Sequence, residues 1–350
     1  MTLAVRPVSR GEDAARPAVR GRLAPSPTGR LHLGNAYAFL AAWLQTRSQG
    51  GTLILRLEDI DPERSKEHFA EGIYEDLAWL GLTWDEGPYV QSRRLDRYAA
   101  LLEDLQRRGL VYPCYCTRKE LRSMASAPHI GDEGAPYPGT CRGLSAKAQQ
   151  EHVDNGRKAA GRLDIAAALA ELQENGTGAD ANQLAFDDAV LGAQPGAQLV
   201  PQDLAVAGGD FALRRSDGVV AYQLAVTADD AAMNVTSVVR GDDLLLSTPR
   251  QILLLRLMGA APPVYAHLPL LYDASGERLA KRHQGLEIAS LRQSGLPAEA
   301  IIGYLGHLAG WQERAHPATA RDLLAGFSLA ALKGRELRLP PDPVSAIADI

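Results

Sequence analysis

The segment Pro25-Ser26-Pro27-Thr28-Gly29-Arg30-Leu31-His32-Leu33-Gly34-Asn35 constrains this chain more than any other. It joins a short apolar run, Arg22-Leu23-Ala24, to a helical pattern over about residues 34–48. In that pattern Phe39, Leu40, Trp43 and Leu44 recur at helical spacing. Prolines and a glycine stop the strand. The helix that follows turns its first unpaired N–H groups, and the positive end of its dipole, toward whatever lies in front of it. That arrangement is an anion site. Gly34 lets a ligand come close to the backbone, and His32 and Asn35 add side-chain donors. The expected ligand is a polyphosphate. A His-x-Gly pair alone fits a turn with a buried histidine better, and only the eleven-residue context reverses that preference.

The rest of the pattern extends the same architecture. Gly50-Gly51 closes the helix as C-caps do, and Thr52–Leu57 reads as a second strand running into Glu58-Asp59-Ile60-Asp61-Pro62. A second amphipathic helix covers about residues 66–80. Strand, helix, strand and helix in that order predict an α/β fold with a doubly wound parallel sheet. Near residue 110 the pattern changes, and cysteines, scattered Pro and Gly and polar runs such as Asn175-Gly176-Thr177-Gly178 read as an insertion. Strand-like material returns at 219–222 and 235–240. Ser247-Thr248-Pro249 then opens a helix with a hydroxyl cap candidate and proline in its first turn. Helical patterns follow at 286–293, 298–308 and 320–332. The chain thus divides into a tail (1–20), the first half of a nucleotide-binding domain (21–110), an inserted subdomain (111–206), the second half (207–285) and a helical C-terminal region (286–350).

Composition narrows the class. The tail sets Arg6, Arg10, Arg16 and Arg20 against Glu12 and Asp13 with no amphipathic stripe, which fits a disordered extension better than a mitochondrial presequence. No run approaches the roughly 18 apolar residues that span a bilayer. Three cysteines cannot make a disulfide framework. They predict a reduced, cytoplasmic chain with a candidate metal site at Cys114, Cys116 and Cys141. A net charge of -5 excludes a general nucleic-acid coat. Any RNA contact must therefore be local, and Arg118, Lys119, Arg122, Arg142 and Lys147 beside the cysteines fit it as well as they fit a solvated face. Lys281 lies in the polar loop Gly276–His283. A lysine on such a loop can follow pyrophosphate oxygens as charge builds, although a solvated basic loop explains this stretch equally well taken alone.

Together these segments resemble a class I aminoacyl-tRNA synthetase of the glutamyl type. Pro25–Asn35 resembles the family's HIGH region in its Pro-Ser-Pro-Thr-Gly-x-x-His-x-Gly-Asn form, with Asn35 in place of the second histidine. Arg56-Leu57-Glu58-Asp59-Ile60-Asp61 is similar to the family's Arg-Ile-Glu-Asp-Thr-Asp segment. Arg278–Arg282 stands where the KMSKS loop belongs and keeps only its second lysine, as Lys281. The match covers about residues 21–310. Residues 283–350 are too few for the long helical anticodon-binding region of the full-length enzymes. The chain is therefore similar to the truncated branch, which places glutamate on the queuosine base of tRNA(Asp). Phe211–Gly218 followed by Tyr222–Val226 is also similar to that branch.

The resemblance implies roles. Arg22, Leu23, Ala24, Pro25, Ser26 and Arg240 would hold glutamate, with Glu58 facing its ammonium and Tyr222 adding a hydroxyl. An arginine fork suits a carboxylate and discriminates against an amide. The bland alternatives are a surface salt bridge from Arg240 to Asp242 or Asp243, and a helix-entry charge at Glu58. ATP would meet His32, Gly34, Asn35 and Lys281, with Mg2+ accompanying it. Cys114, Cys116, Tyr137 and Cys141 would hold one structural Zn2+. Residues 117–136 separate Cys116 from Tyr137 by more than the family's spacing, so His129 is a rival fourth ligand and three free thiols remain the bland reading. The implied partners are ATP, L-glutamate and tRNA(Asp) carrying queuosine, and the chain is expected to be a monomer. The competing functions are a small discriminating glutamyl-tRNA synthetase that charges the tRNA 3′ end, and a non-catalytic RNA-binding paralogue, for which the degraded 278–282 loop speaks.

Overall fold

The structure is a computed structural model that describes residues 18–123, 137–175, 184–194, 209–279 and 284–350. Of the tail expected over residues 1–20, residues 1–17 lie outside the described residues, as do His129 and Lys281, whereas Arg20 is no part of a tail and begins the first strand.

Strands β1 (Arg20–Leu23), β2 (Thr52–Leu57) and β3 (Glu86–Val90) form a parallel sheet in the order β1-β2-β3. Helix α1 (Leu33–Arg47) crosses from β1 to β2, α2 (Glu67–Trp79) from β2 to β3, and α3 (Leu95–Arg107) follows. Leu53, Ile54 and Leu55 of β2 are wholly buried, as a parallel strand covered on both faces must be. Gly21 in β1 is needed for close packing, because a Cβ there would fall 2.0 Å from Oγ1 of Thr46 on α1.

The insertion contains β4 (Val111–Cys114), α4 (Arg118–Ser123), α5 (Ala146–Asp154), β5 (Ala160–Leu163), α6 (Ile165–Glu174), the short β6 (Asp187–Asp188) and β7 (Gly192–Ala193), and its sheet takes in β8 (Ala212–Arg214), beyond the expected boundary at 206. Strands β4, β5 and β8 pair antiparallel in that order. The chain then returns through α7 (Tyr222–Ala232), β9 (Ser237–Gly241), α8 (Thr248–Leu257) and β10 (Val264–Leu268). Strands β9 and β10 pair in parallel. Thr236 N–H donates to the Arg20 carbonyl at 3.0 Å, which sets the start of β9 beside the open edge of β1. The strand order therefore reverses between β1 and β9, where open α/β sheets form a crevice at their C-terminal ends. This matches the doubly wound architecture read from the sequence.

The remaining elements are β11 (Leu271–Tyr272), α9 (Ile288–Gln293), α10 (Ala298–Leu308), β12 (Leu337–Arg338) and α11 (Pro343–Ala348). Strands β11 and β12 pair in parallel, and Leu339 N–H donates to the Tyr272 carbonyl at 2.8 Å. No helix among the described residues is long and apolar enough to cross a membrane.

Three local expectations change. Residues 219–222 are not a strand: Val220 makes one bridge to Arg214, and Tyr222 opens α7. A four-residue apolar run cannot tell a strand from the start of a buried helix. The Ser247 hydroxyl does not cap α8 and instead accepts from Gln223 Nε2 at 2.7 Å. Residues 320–332 form two 3-10 turns, Asp322–Ala325 and Leu329–Leu332, rather than one helix. The break falls at Gly326, whose backbone passes so near the Trp311 carbonyl that a Cβ would sit 2.2 Å from its oxygen.

Candidate active site

Loop Ala24–Pro27 leaves β1 and lies against the exit of β2. Glu58 N–H donates to the Pro25 carbonyl at 2.8 Å, and Lys66 N–H to the Pro27 carbonyl at 3.0 Å. Leu23 is a core residue with no exposed side chain, so only its backbone can face a ligand. Ala24 is half-buried, Pro25 buried and Ser26 exposed.

A buried ladder of alternating charge stands behind this loop. Arg22 donates through Nη1 to the Val239 carbonyl at 3.1 Å, and its Nε faces Asp230 at 3.9 Å. Arg56 has no exposed side chain and reaches Asp230 Oδ1 at 2.6 Å and Glu58 Oε1 at 3.0 Å. The order is Arg22, Asp230, Arg56, Glu58. Burial pulls the Arg22 guanidinium below its ordinary pKa, against the pull of Asp230. Burial likewise pushes the Glu58 carboxyl up, against Arg56 and Arg22. Tyr222 opens α7 within the field of Glu58, Arg240 and Arg22, and burial pushes its hydroxyl up to about 12. The structure therefore brings together Arg22, Glu58, Tyr222 and Arg240 as the sequence reading expects, with Glu58 already engaged by Arg56.

Arg240 does not make the surface bridges that were its bland alternative. It is 5% exposed and bonds neither Asp242 nor Asp243. Its Nε donates to His267 Nε2 at 3.1 Å, Nη1 to Gln251 Oε1 at 2.8 Å, and Nη2 to Thr248 Oγ1 at 2.7 Å. Its guanidinium also lies over the Tyr265 ring at 5.3 Å. All of these acceptors are neutral. Among the described residues no carboxylate stands within ion-pair distance of Arg240. A buried cation so placed is costly unless an anion arrives to complete it.

His32 is the N-cap of α1. Its Nδ1 accepts from Gly34 N–H at 3.1 Å and Asn35 N–H at 3.3 Å, while Asn35 Oδ1 accepts from His32 N–H at 3.1 Å. This is a capping box built from histidine and asparagine. The first N–H groups of α1 are thus already partnered, which qualifies the simple picture of a bare helix terminus. With Nδ1 accepting, a neutral His32 carries its proton on Nε2. Gly34 leaves little room for a side chain, because a Cβ would stand 3.0 Å from the imidazole, which would have to shift by a few tenths of an ångström. His32, Gly34, Asn35, Tyr37 and Ala38 line one wall of a cavity of about 170 Å³. Gly241, Asp243, Leu268–Leu271, Arg278 and Leu279 line the other. Arg278 Nη2 and Asp243 Oδ2, both in that wall, form an ion pair at 2.5 Å.

The cysteines gather at the end of β4. Their three sulfurs lie within 4.8 Å of one another and form a cluster that could hold a metal. Cys116 and Cys141 sulfurs are 3.6 Å apart, and the Tyr137 hydroxyl lies 3.4 Å from Cys114 Sγ and 3.8 Å from Cys116 Sγ. Burial would raise the Cys114 thiol, but the Tyr137 hydroxyl, the Cys116 N–H and Arg162 outweigh it and hold it below its ordinary value. Asp210 ties this cluster to the antiparallel sheet by accepting from Tyr112 Oη at 2.6 Å and Arg142 Nε at 2.8 Å. Arg142 is thus committed to an internal acid, which removes it from the freely solvated face considered above.

The sequence reading missed Asp230, His267, Asp188, Gln251 and Thr248, and gave Arg56 no role of its own. Arg56 carried a signal: a charge inside the otherwise apolar Leu53–Leu57 must be paired. Asp230 carried a similar one, standing in a helix whose other residues are mostly apolar.

Fold and site together define a class I aminoacyl-tRNA synthetase core. The chain matches the family of tRNA synthetases class I (E and Q), catalytic domain, over residues 18–324, and belongs to it. It is 53% identical to the Glutamyl-Q tRNA(Asp) synthetase of Nitratidesulfovibrio vulgaris, across 93% of this chain and 96% of that protein. It is 41% identical to the Glutamate--tRNA ligase of Burkholderia thailandensis, across 84% of this chain but only 58% of that protein. A solved glutamate tRNA ligase from Elizabethkingia meningosepticum superposes with a TM-score of 0.73 at 24% identity, covering 94% of this chain and 68% of that one, and shares the fold.

Proposed function

We propose that this chain activates L-glutamate with ATP and transfers it to the queuosine base of tRNA(Asp). The observation that carries the activation step is Arg240, a buried cation that bonds only neutral groups beside Arg22, Glu58 and Tyr222. A substrate carboxylate on Arg240 and Arg22 would supply the missing negative charge. Glu58, held by Arg56 through one oxygen, keeps an acid near the position of the substrate ammonium.

The first step needs no general base, because the α-carboxylate of glutamate is ionised at neutral pH. It attacks the α-phosphorus of ATP, and pyrophosphate leaves. The protein contributes positioning and charge stabilisation. His32, Gly34 and Asn35 stand along one wall for the phosphates, and Lys281 on the following loop is assigned to the departing pyrophosphate. Magnesium brought with ATP would neutralise phosphate charge. In the second step a hydroxyl of the queuosine ring attacks the mixed anhydride and AMP leaves. The choice of the queuosine base over a 3′ adenosine rests on the two-way full-length match to the N. vulgaris protein.

The cysteine cluster fits tetrahedral zinc. Zinc–sulfur bonds of about 2.3 Å imply sulfur–sulfur separations of about 3.8 Å and sulfur–oxygen separations near 3.5 Å. The Cys116–Cys141 distance of 3.6 Å and the Tyr137 distances of 3.4 and 3.8 Å lie close to those values. We assign Cys114, Cys116, Cys141 and Tyr137 as the ligands, in a structural role. Elemental analysis of the purified protein should give near one equivalent, and less than about a third would contradict the assignment. A cytoplasmic location is part of this proposal and rests on the tRNA substrate.

The deciding experiment is glutamate charging of tRNA(Asp) with and without queuosine, beside tRNA(Glu). Label is expected only on queuosine-containing tRNA(Asp). Label on tRNA(Glu) alone would favour the discriminating glutamyl-tRNA synthetase reading. Absence of glutamate-dependent ATP–pyrophosphate exchange would favour a non-catalytic RNA binder.

A further inference from the structure

Arg240 is held from behind by two residues that the activation chemistry does not use. Asp188 sits in β6 of the insertion with its side chain fully buried. Its Oδ1 accepts from Val190 and Leu191 N–H at 2.9 and 3.0 Å. Its Oδ2 accepts from His267 N–H at 3.0 Å and faces His267 Nδ1 at 2.6 Å. His267, in β10, is likewise fully buried. An ionised carboxylate only accepts, so the proton of the imidazole is on Nδ1. Nε2 is then an acceptor, and it meets Arg240 Nε–H at 3.1 Å with Thr248 Oγ1 at 3.0 Å. The other tautomer would set Nε2–H against Arg240 Nε–H, donor to donor. The ring is held in this plane by its bonds at both nitrogens, with Tyr265 stacked at 15° and Phe186 tilted beside it.

We propose that Asp188 and His267 are positioning residues for the amino-acid substrate: the carboxylate fixes the imidazole tautomer, and the tautomer fixes the plane of the Arg240 guanidinium. The inference rests on the reading of Arg240 as a carboxylate fork. It adds that the insertion, through Asp188, governs recognition of the amino acid without touching it. The charge states agree. His267 and the backbone N–H groups hold Asp188 low in spite of burial, and burial holds His267 low and neutral.

Asp188→Asn should reverse the tautomer, because an amide N–H then faces Nδ1. In glutamate-dependent ATP–pyrophosphate exchange, the glutamate KM should rise about tenfold or more, with the ATP KM within about twofold. His267→Gln, which keeps an acceptor near the Nε2 position, should recover part of what His267→Ala loses. An equal rise in both KM values would mark a merely structural role and overturn the proposal. Arg240→Ala is measured alongside. If it leaves the glutamate KM unchanged, the fork reading itself fails. If it raises that KM while folded Asp188→Asn does not, only the positioning role fails. Nitrogen-15 NMR of the wild-type chain gives a test that needs no variant: the proton is expected on Nδ1 of His267, and a proton on Nε2 overturns the proposal.

Discussion

At the scale of single residues, the buried charges set the sharpest expectations. Arg56 compensates both Asp230 and Glu58 with no exposure of its own. Arg56→Met keeps volume but strands two buried acids, so it should destabilise the fold by about 3–5 kcal/mol in denaturant unfolding. Asp76 gives the opposite sign. Burial raises its carboxyl to about 6, against the pull of Arg30 and Arg292. Between about pH 4 and pH 6 the folded state therefore binds more protons than the unfolded state, and this group's contribution to stability falls as pH rises through that window. Asp76→Asn should match wild type near pH 4 and exceed it above pH 6, by about 1 kcal/mol once solvent screening is allowed for. Thermal unfolding at the two pH values checks this, and a gain at pH 4 alone would contradict it. In the fork, Arg240→Ala should raise the glutamate requirement more than the ATP requirement, and equal effects would contradict its assigned role. Glu58 and Tyr222 were singled out in the sequence because they stand in motif segments, and Arg22 and Arg240 because they stand in strand-like runs beside them. Their partners were not. Asp188 lies 79 positions from His267 and Asp230 lies 174 from Arg56, and nothing local links such pairs.

At the scale of elements, the contacts between strands and helices explain which boundaries could be read. Strand β2 and helices α1 and α2 were legible almost to the residue, because glycines and prolines punctuate them. The start of α7 was not, because its first residues share their apolar character with a strand. Its position is instead set by tertiary bonds. Buried Asp229 accepts from Arg94 Nε at 2.7 Å, Tyr98 Oη at 2.7 Å and Gln91 Nε2 at 3.1 Å, which clamps α7 to the α3 region. Tyr98→Phe removes one of three donors and should cost about 1–2 kcal/mol, read by chemical denaturation. Gly21 makes the complementary case in β1. Gly21→Ala should cost about 1–3 kcal/mol by forcing α1 away from the sheet, and adding Thr46→Ala should restore part of it. A double variant no more stable than Gly21→Ala alone would place the strain elsewhere.

At the scale of the whole molecule, the parallel sheet and its reversal point were legible from the order of elements, whereas the path of the insertion was not. Short strands such as β6 and β7 have no sequence signature, yet β6 delivers Asp188 to the core. Asp210 couples the cysteine cluster to the insertion's sheet, and none of the groups it bonds, Tyr112, Arg142, Arg162 and Ile165, is assigned to glutamate or ATP. Metal removal should therefore impair transfer to tRNA while leaving ATP–pyrophosphate exchange within about threefold. Comparing both activities before and after chelation checks this, and a parallel collapse of the two would contradict it. The pairing of β12 with β11 reaches further than its two residues suggest. The hairpin that begins at Leu271 closes back on itself through Leu279 N–H, 2.9 Å from the Leu271 carbonyl, and leads straight into residues 280–283. Strand β12 is a splint for the hairpin 271–279 that precedes Lys281 in the chain. A cut or a bulky tag near residue 336 would slacken that hairpin, and any resulting loss of activity would be misread as a lost grip on RNA.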